Sequence, residues 1–453
     1  MKKTSAPNKK EIILLDQGSN GCIFHPEIKC STTTVKRQSK HNQYHKYVSK
    51  VQLQSAVKNE QEVGKILKTI PNFRYYFAPV LESCPVNLST IDERQMEKCD
   101  VIKKHSENPN NTKPPIFVSS TIPYLGKTTL GDYLLKCTQE PKEYISTVLD
   151  THLYLLDALT KLEKENIVHF DLKGNNIMQD EKNDVPIIID FGMSIKDIES
   201  LDIQEYEKRF PTIAEEYFPW CIDIILLCYI ATTLRDRAKD LSRTYAEKIN
   251  EKDIAQMKRH ASVYVFKNPV LQISTISQDE RIQVEAQLHK WIESQKSKTW
   301  TQFTKELISY HKSWDNYALS AIYLLELDDV RGVSTIPQVQ ETADLTKHTD
   351  LPEIPEPTNP QESLIDSYLD LLKTNILQPP KTRWTPTYVA SQIKTKFRRV
   401  NKESLIQFVK TQLTKIKTPG YLTTIKEKKQ RRFFKEKEFH EKIQKQIRKR
   451  NPQ

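Results

Sequence analysis

The sequence predicts an α+β chain in two unequal parts, a small β-rich N-terminal lobe and a larger, mostly helical C-terminal one. Three observations carry this. Apolar–polar alternation with a glycine turn dominates the opening segments. Helical spacing of apolar residues dominates from about residue 129 onward. At 453 residues, 37% hydrophobic and 28% charged, the chain can bury a sizeable core across two or three domains, or in one large domain with insertions.

Taken in order, residues 11–24 read as strand, glycine turn, strand, and 25–46 as a polar, lysine-rich loop. Tyr47 to Gln52 alternates as a short strand carrying Lys50, and Asn59 to Ile70 has helical spacing at Val63, Ile66, Leu67 and Ile70. Phe77–Leu81 and Ile116–Ile122 fit two further strands, split by a polar insertion. Thr129–Cys137 and Tyr144–Lys164 are helical patterns, the second running into the loop of His169. The stretch from 232 to 312 is charged and helical without a chemical motif. Residues 333–361, with five prolines among acids and threonines, read as an extended linker. Ser363–Lys373 and Tyr388–Arg399 return to helix, and 401–453 form a basic helical tail.

Only nine glycines are present, and Gly18, Gly21, Gly174 and Gly192 sit in the motifs below. Seven cysteines are scattered without a Cys-x-x-Cys pair, which reads as free thiols in a reducing compartment. The opening residues lack the apolar core of a signal peptide. The longest apolar run, Trp220 to Ala231, is interrupted by Asp223 and is shorter than the roughly 20 residues of a membrane span. An intracellular protein with no membrane partner is the expectation.

The chemistry concentrates in Val168-His169-Phe170-Asp171-Leu172-Lys173-Gly174-Asn175-Asn176 and Ile189-Asp190-Phe191-Gly192. This is the order and spacing of a phosphoryl-transfer site. Asp171 can orient a hydroxyl as base, Lys173 can meet a γ-phosphate, and Asn176 and Asp190 can hold the Mg2+ of a bound ATP. His169 and Phe191 read as packing residues that position the two loops. Upstream, Gly18, Gly21 and Ile23 lie at a strand turn where backbone amides can approach phosphate oxygens. Lys50, 29 residues past Gly21, can neutralise α- and β-phosphates if an acid holds it. Glu62, one turn before Ile66, is the preferred partner and Glu60 its rival.

On these residues the chain resembles the eukaryotic-type protein kinases, from about residue 11 to 395. The resemblance implies a two-lobed protein-kinase fold, with N-lobe and hinge over 11–126 and C-lobe over 127–400. It also implies ATP and Mg2+ as cofactors and a protein substrate. Asp171-Leu172-Lys173 resembles the serine/threonine branch. Trp314-Asp315-Asn316-Tyr317 is similar to the buried helix that anchors the catalytic loop, with Trp220-Cys221-Ile222-Asp223 as rival. Arg383, in Pro380-Lys381-Thr382-Arg383, resembles the arginine that braces the activation segment. Tyr124 and Leu125 would be hinge residues offering backbone groups to adenine.

The chain departs from the pattern at Asp16, Val48 and Phe170, which stand for a glycine, an alanine and an arginine. Losing that arginine removes a partner for an activation-loop phosphate. Ala214-Glu215 is a poor match to Ala-Pro-Glu, and the distance from Asp190 to Asp315 implies an insertion over 217–310. Asn59–Leu67 and Tyr217-Phe218-Pro219-Trp220 resemble kinases of large nucleocytoplasmic DNA viruses, which would place the protein in host cytoplasm or virion.

The net charge is +11, of which residues 421–453, with twelve Lys/Arg and four Asp/Glu, carry +8. Basic residues interleave with aromatics at 428–434, which could contact nucleic acid or an acidic partner. Against this stands a solvated helix packed on the body, the favoured reading because acids at 427, 436, 438 and 441 dilute the field. The competing functions are a small-molecule or atypical kinase and a non-catalytic scaffold on the same fold.

Overall fold

The structure is a computed structural model. It describes residues 12–18, 21–28, 46–106, 116–137, 144–210, 212–237, 241–334 and 362–397, and in the tail 429–432, 434, 437, 438 and 441. The expected linker and most of the tail therefore lie outside the described residues.

The N-terminal lobe is a five-stranded antiparallel sheet. Its strands are β1 (Ile13–Gly18), β2 (Gly21–His25), β3 (Tyr47–Leu53), β4 (Glu82–Pro85) and β5 (Phe117–Pro123), in the order β1-β2-β3-β5-β4. Gly18 pairs with Gly21 across the β1–β2 turn. A Cβ on Gly21 would stand 2.7 Å from the Val51 carbonyl oxygen, so the close approach of β2 to β3 requires glycine there. In β3 the register sets Lys50 opposite Ile23 and Ser120.

Helix α1 (Gln54–Leu67) follows β3 directly, earlier than the periodicity indicated. Its buried face is Val57, Glu60, Val63, Gly64 and Leu67. Phe77–Leu81 is not a strand. Pro79 cannot donate, and the neighbouring amides bond outward, Ala78 to Ile188 and Leu81 to Thr121, at 3.0 and 2.9 Å. The polar insertion carries two short helices, α2 (Glu93–Glu97) and α3 (Asp100–Ser106), folded back on the sheet.

That insertion overturns the free-thiol reading for this lobe. Cys22 on β2 is disulfide-bonded to Cys99, with Cα atoms 6.0 Å apart, and Cys84 is also disulfide-bonded. Cys22 and Cys99 belong to a small apolar cluster with Phe24, Val51, Val101, Ile102 and Phe117, which brings the sulfurs together. Cys137, Cys221 and Cys228 are free.

The C-terminal lobe begins with α4 (Leu130–Cys137) and the long α5 (Tyr144–Lys164). Four short strands then frame the loops of interest: β6 (Ile167–Val168), β7 (Ile177–Asp180), β8 (Val185–Ile188) and β9 (Ile195–Lys196). β7 pairs with β8, and β6 with β9. After α6 (Ile203–Arg209), the expected insertion is helical: α7 (Ile222–Arg237), α8 (Leu241–Ala246), α9 (Glu251–Lys267), α10 (Gln278–Glu293) and α11 (Trp300–Ser309). The apolar run from Trp220 leads into α7 and is buried throughout up to Ala231, Asp223 included, which explains why apolar residues occupy every face there. Among the described residues, no helix is long and apolar enough to cross a membrane.

The lobe is built around α12 (Trp314–Ser334), whose Trp314, Tyr317, Leu319, Tyr323 and Leu324 are buried. α13 (Glu362–Leu377) and α14 (Pro386–Phe397) close it. The architecture is a two-lobed α+β arrangement, a sheet with one main helix set against a helical body.

Candidate active site

A cavity of about 790 Å3 lies between the lobes. The sheet contributes Gly18, Gly21, Ile23 and Lys50 to its wall, and the connector contributes Tyr124 and Leu125. From the helical lobe come Lys173, Asn176 and Asp190.

Lys50 sits at the junction. Its ammonium donates to both Glu60 oxygens at 3.2 and 3.1 Å and to Asp190 Oδ1 at 2.8 Å. Burial works against the charged lysine, but Asp190 and Glu60 outweigh it and hold its pKa above the ordinary lysine range. Gln52 Nε2 also donates to Glu60, at 3.2 Å. The expected Glu62 partner is a correction. Glu62 turns to Lys196 at 2.7 Å, a bond that lowers its pKa, and it does not line the cavity. The reason is helix phase, because Glu60 lies on the stripe of Val63 and Leu67, whereas Ile66 is only half-buried.

The residues of the loop from His169 to Asn176 converge on Asp171. Asn176 Nδ2 donates to the Asp171 carbonyl oxygen and carboxylate at 2.8 and 3.1 Å, and Lys173 Nζ approaches the carboxylate at 3.3 Å. Tyr217 OH donates to Asp171 Oδ1. The Asp171 carboxylate is buried, at 2% exposure.

The loop is held from beneath. Asp315, at the start of α12, accepts from the backbone amides of His169 and Phe170 at 2.6 and 3.0 Å. Burial raises its carboxyl pKa, against the pull of His169 and those two amides. The rival Asp223 does something else. It forms a buried ion pair with Arg383 at 2.9 and 3.1 Å and accepts from Trp314 Nε1. Arg383 therefore braces the first turn of α7, and Glu215 pairs with His260 at 2.6 Å instead.

His169 and Phe191 are packing residues, with rings 5.0 Å apart, and His169 Nε2 also meets the Ile189 carbonyl at 2.9 Å. Phe170 is buried against Phe210 and Trp220, and Trp220 Nε1 donates to its carbonyl oxygen at 2.9 Å. Phe170 and Asp190 both adopt positive φ, 70° and 59°, a strained backbone kept where it aims a functional loop.

At the connector, the Tyr124 amide donates to the Lys46 carbonyl oxygen at 2.9 Å, so it is not open to a base as expected. The Leu125 carbonyl receives the Glu181 amide at 3.4 Å.

Among the described residues no group of three or more His, Cys, Asp or Glu side chains could hold a metal by itself. A carboxylate and an amide from Asp190 and Asn176 instead fit a hard cation shared with phosphate oxygens, as Mg2+ prefers.

Sequence reasoning missed the roles of Asn59 and Tyr217. Asn59 Nδ2 donates to the carbonyls of Gly192 and Ser194 at 3.1 and 2.9 Å, tying α1 to the Asp190 loop. Both residues fall in the stretches singled out as virus-like, but nothing in those stretches alone indicated these contacts.

No protein-family profile matches the chain. It is 32% identical over 108 residues to the membrane-associated tyrosine- and threonine-specific cdc2-inhibitory kinase of Drosophila melanogaster. That match spans 23% of this chain and only 20% of the fly protein. A solved structure, a Stt7 homologue from Micromonas algae soaked with ATP, is similar at 15% identity and a TM-score of 0.29, over 43% of this chain and 53% of that one. The chain is thus similar to a protein kinase over one local stretch of 108 residues.

Proposed function

We infer that this protein is an ATP-dependent serine/threonine protein kinase. The observation that carries the reading is the convergence of Lys50, Glu60, Asp190 and Asn176 from both lobes on one cavity, with Asp171 buried beside it and hydrogen-bonded to Asn176. Mg2+ would add charge neutralisation between the β- and γ-phosphates, held through Asn176 and Asp190. Lys50, fixed by Glu60, meets the α- and β-phosphates. Asp171 accepts the acceptor hydroxyl proton, and Lys173 faces the transferring phosphoryl oxygens. Tyr217 must yield or share the carboxylate for the hydroxyl to reach it.

The serine/threonine assignment rests on Lys173 standing two residues after Asp171, within ion-pair distance of it. The virus-like origin rests on the insertion pattern, the Lys/Ile-rich and glycine-poor usage, and the two sequence stretches. Incubation with labelled ATP and a peptide library containing Ser, Thr and Tyr acceptors tests the reading, with Asp171→Asn as control. Label on Ser or Thr that disappears in the variant supports it; equal labelling by the variant, or none by either, overturns it.

A further inference from the structure

The tail is seated on an acidic pair of α12, of which Glu326 lines the cavity. Glu326 and Asp329, three residues apart on α12, are largely buried, with side chains 13% and 6% exposed. Lys429 pairs with Glu326 and donates to the Gly131 carbonyl oxygen of α4 at 2.9 Å. Arg432 donates from one terminal nitrogen to both oxygens of Asp329, at 2.9 Å each, a charge-assisted contact. Both pairs repeat a spacing of three residues, so one turn of the tail matches one turn of α12.

The position matters as much as the pairing. Lys429, Gln430, Arg432 and Lys437 form part of the same cavity wall as Lys50, Lys173 and Asp190. Phe218, next to the tyrosine that covers Asp171, lies on that wall too. The tail thus shares one cavity with the residues assigned to the nucleotide phosphates. Lys429 and Arg432 are turned onto protein carboxylates, which disfavours the nucleic-acid reading for these two residues.

We propose that Glu326 and Asp329 are a docking site for basic residues of the acceptor polypeptide, and that Lys429 and Arg432 occupy it in cis as an internal competitor. The preferred acceptor then carries two Lys/Arg residues three apart. This deepens the kinase reading and rests on it for the acceptor, but the docking itself does not depend on catalysis. A tail docked nine-tenths of the time raises the apparent Kd of an external basic peptide about tenfold.

The test uses the full chain and a fluorescent peptide copying residues 426–441. Lys429→Glu/Arg432→Glu should bind it about tenfold more tightly than the unaltered chain. Adding Glu326→Lys/Asp329→Arg to that variant re-pairs the tail and should abolish the gain. With an acceptor peptide, KM should fall about tenfold for a basic sequence and not for an acidic one of equal length. Peptide binding unaffected by the tail substitutions, or undiminished in the charge-swapped chain, overturns the proposal. Failure of phosphoryl transfer with the binding pattern intact would instead overturn the kinase reading.

Discussion

The lysine partner offers the sharpest quantitative trial. Lys50 and Glu60 have side chains only 9% and 4% exposed, at 3.1 Å, whereas Glu62 and Lys196 are each 34% exposed. Losing the charge of one member of a buried pair costs about 3–5 kcal/mol, and the glutamine amide oxygen can keep one hydrogen bond, so Glu60→Gln should cost about 2–3 kcal/mol of stability. The catalytic effect follows from geometry. With Glu60 neutral, Lys50 is drawn wholly onto Asp190, already 2.8 Å away, and the carboxylate assigned to Mg2+ is tied up. We expect kcat to fall roughly 100-fold, about 2.7 kcal/mol in barrier. Glu62→Gln removes a half-exposed pair worth about 0–1 kcal/mol and should leave kcat/KM within about threefold. Steady-state turnover and urea denaturation of both variants decide it. Equal losses, or a larger loss for Glu62→Gln, would refute the argument from helix phase.

Three further outcomes are expected. Because Phe170 replaces a cation with an aromatic packed on Phe210 and Trp220, phosphatase treatment should leave turnover within about twofold; loss of turnover would count against activity independent of loop phosphorylation. Asp223→Asn strands Arg383, 1% exposed, and should lower the unfolding free energy by about 3–5 kcal/mol, a loss under 1 kcal/mol being incompatible with the buried pair. Burial holds the His152 imidazole down to about 3, well below its usual 6.5. Between pH 7.5 and 5 the unfolded chain therefore binds a proton that the folded one refuses, and stability falls by about 2 kcal/mol as pH drops. His152→Phe should flatten that acid limb by this amount in thermal melts; an unchanged limb would show that His152 does not titrate as described.

The catalytic-loop and Asp190 motifs were legible because their chemistry is contiguous and their spacing is fixed by short strands. Asp315 was legible too, since Tyr317-Ala318-Leu319 after it and Arg383 at its interval distinguished it from Asp223. Glu60 against Glu62 was not resolved correctly, although the stripe of Val57, Val63 and Leu67 held the answer. Weighting Ile66 shifted the face by about 100° per residue. The partners of Arg383 and Cys22 were hidden for another reason: they lie 160 and 77 residues away, where only tertiary packing brings them together. Tyr217 over Asp171 had no local signal.

The Cys22–Cys99 bond deserves a last thought in terms of chain connectivity. It closes a ring that encloses β3 and α1, so Lys50 and Glu60 both ride inside one covalent circuit. A closure across 77 residues removes disorder from the unfolded chain worth about 4 kcal/mol in the entropic description. The strand that follows the glycine turn is thereby moored to the back of the lobe, and a thiol-rich medium would set it adrift.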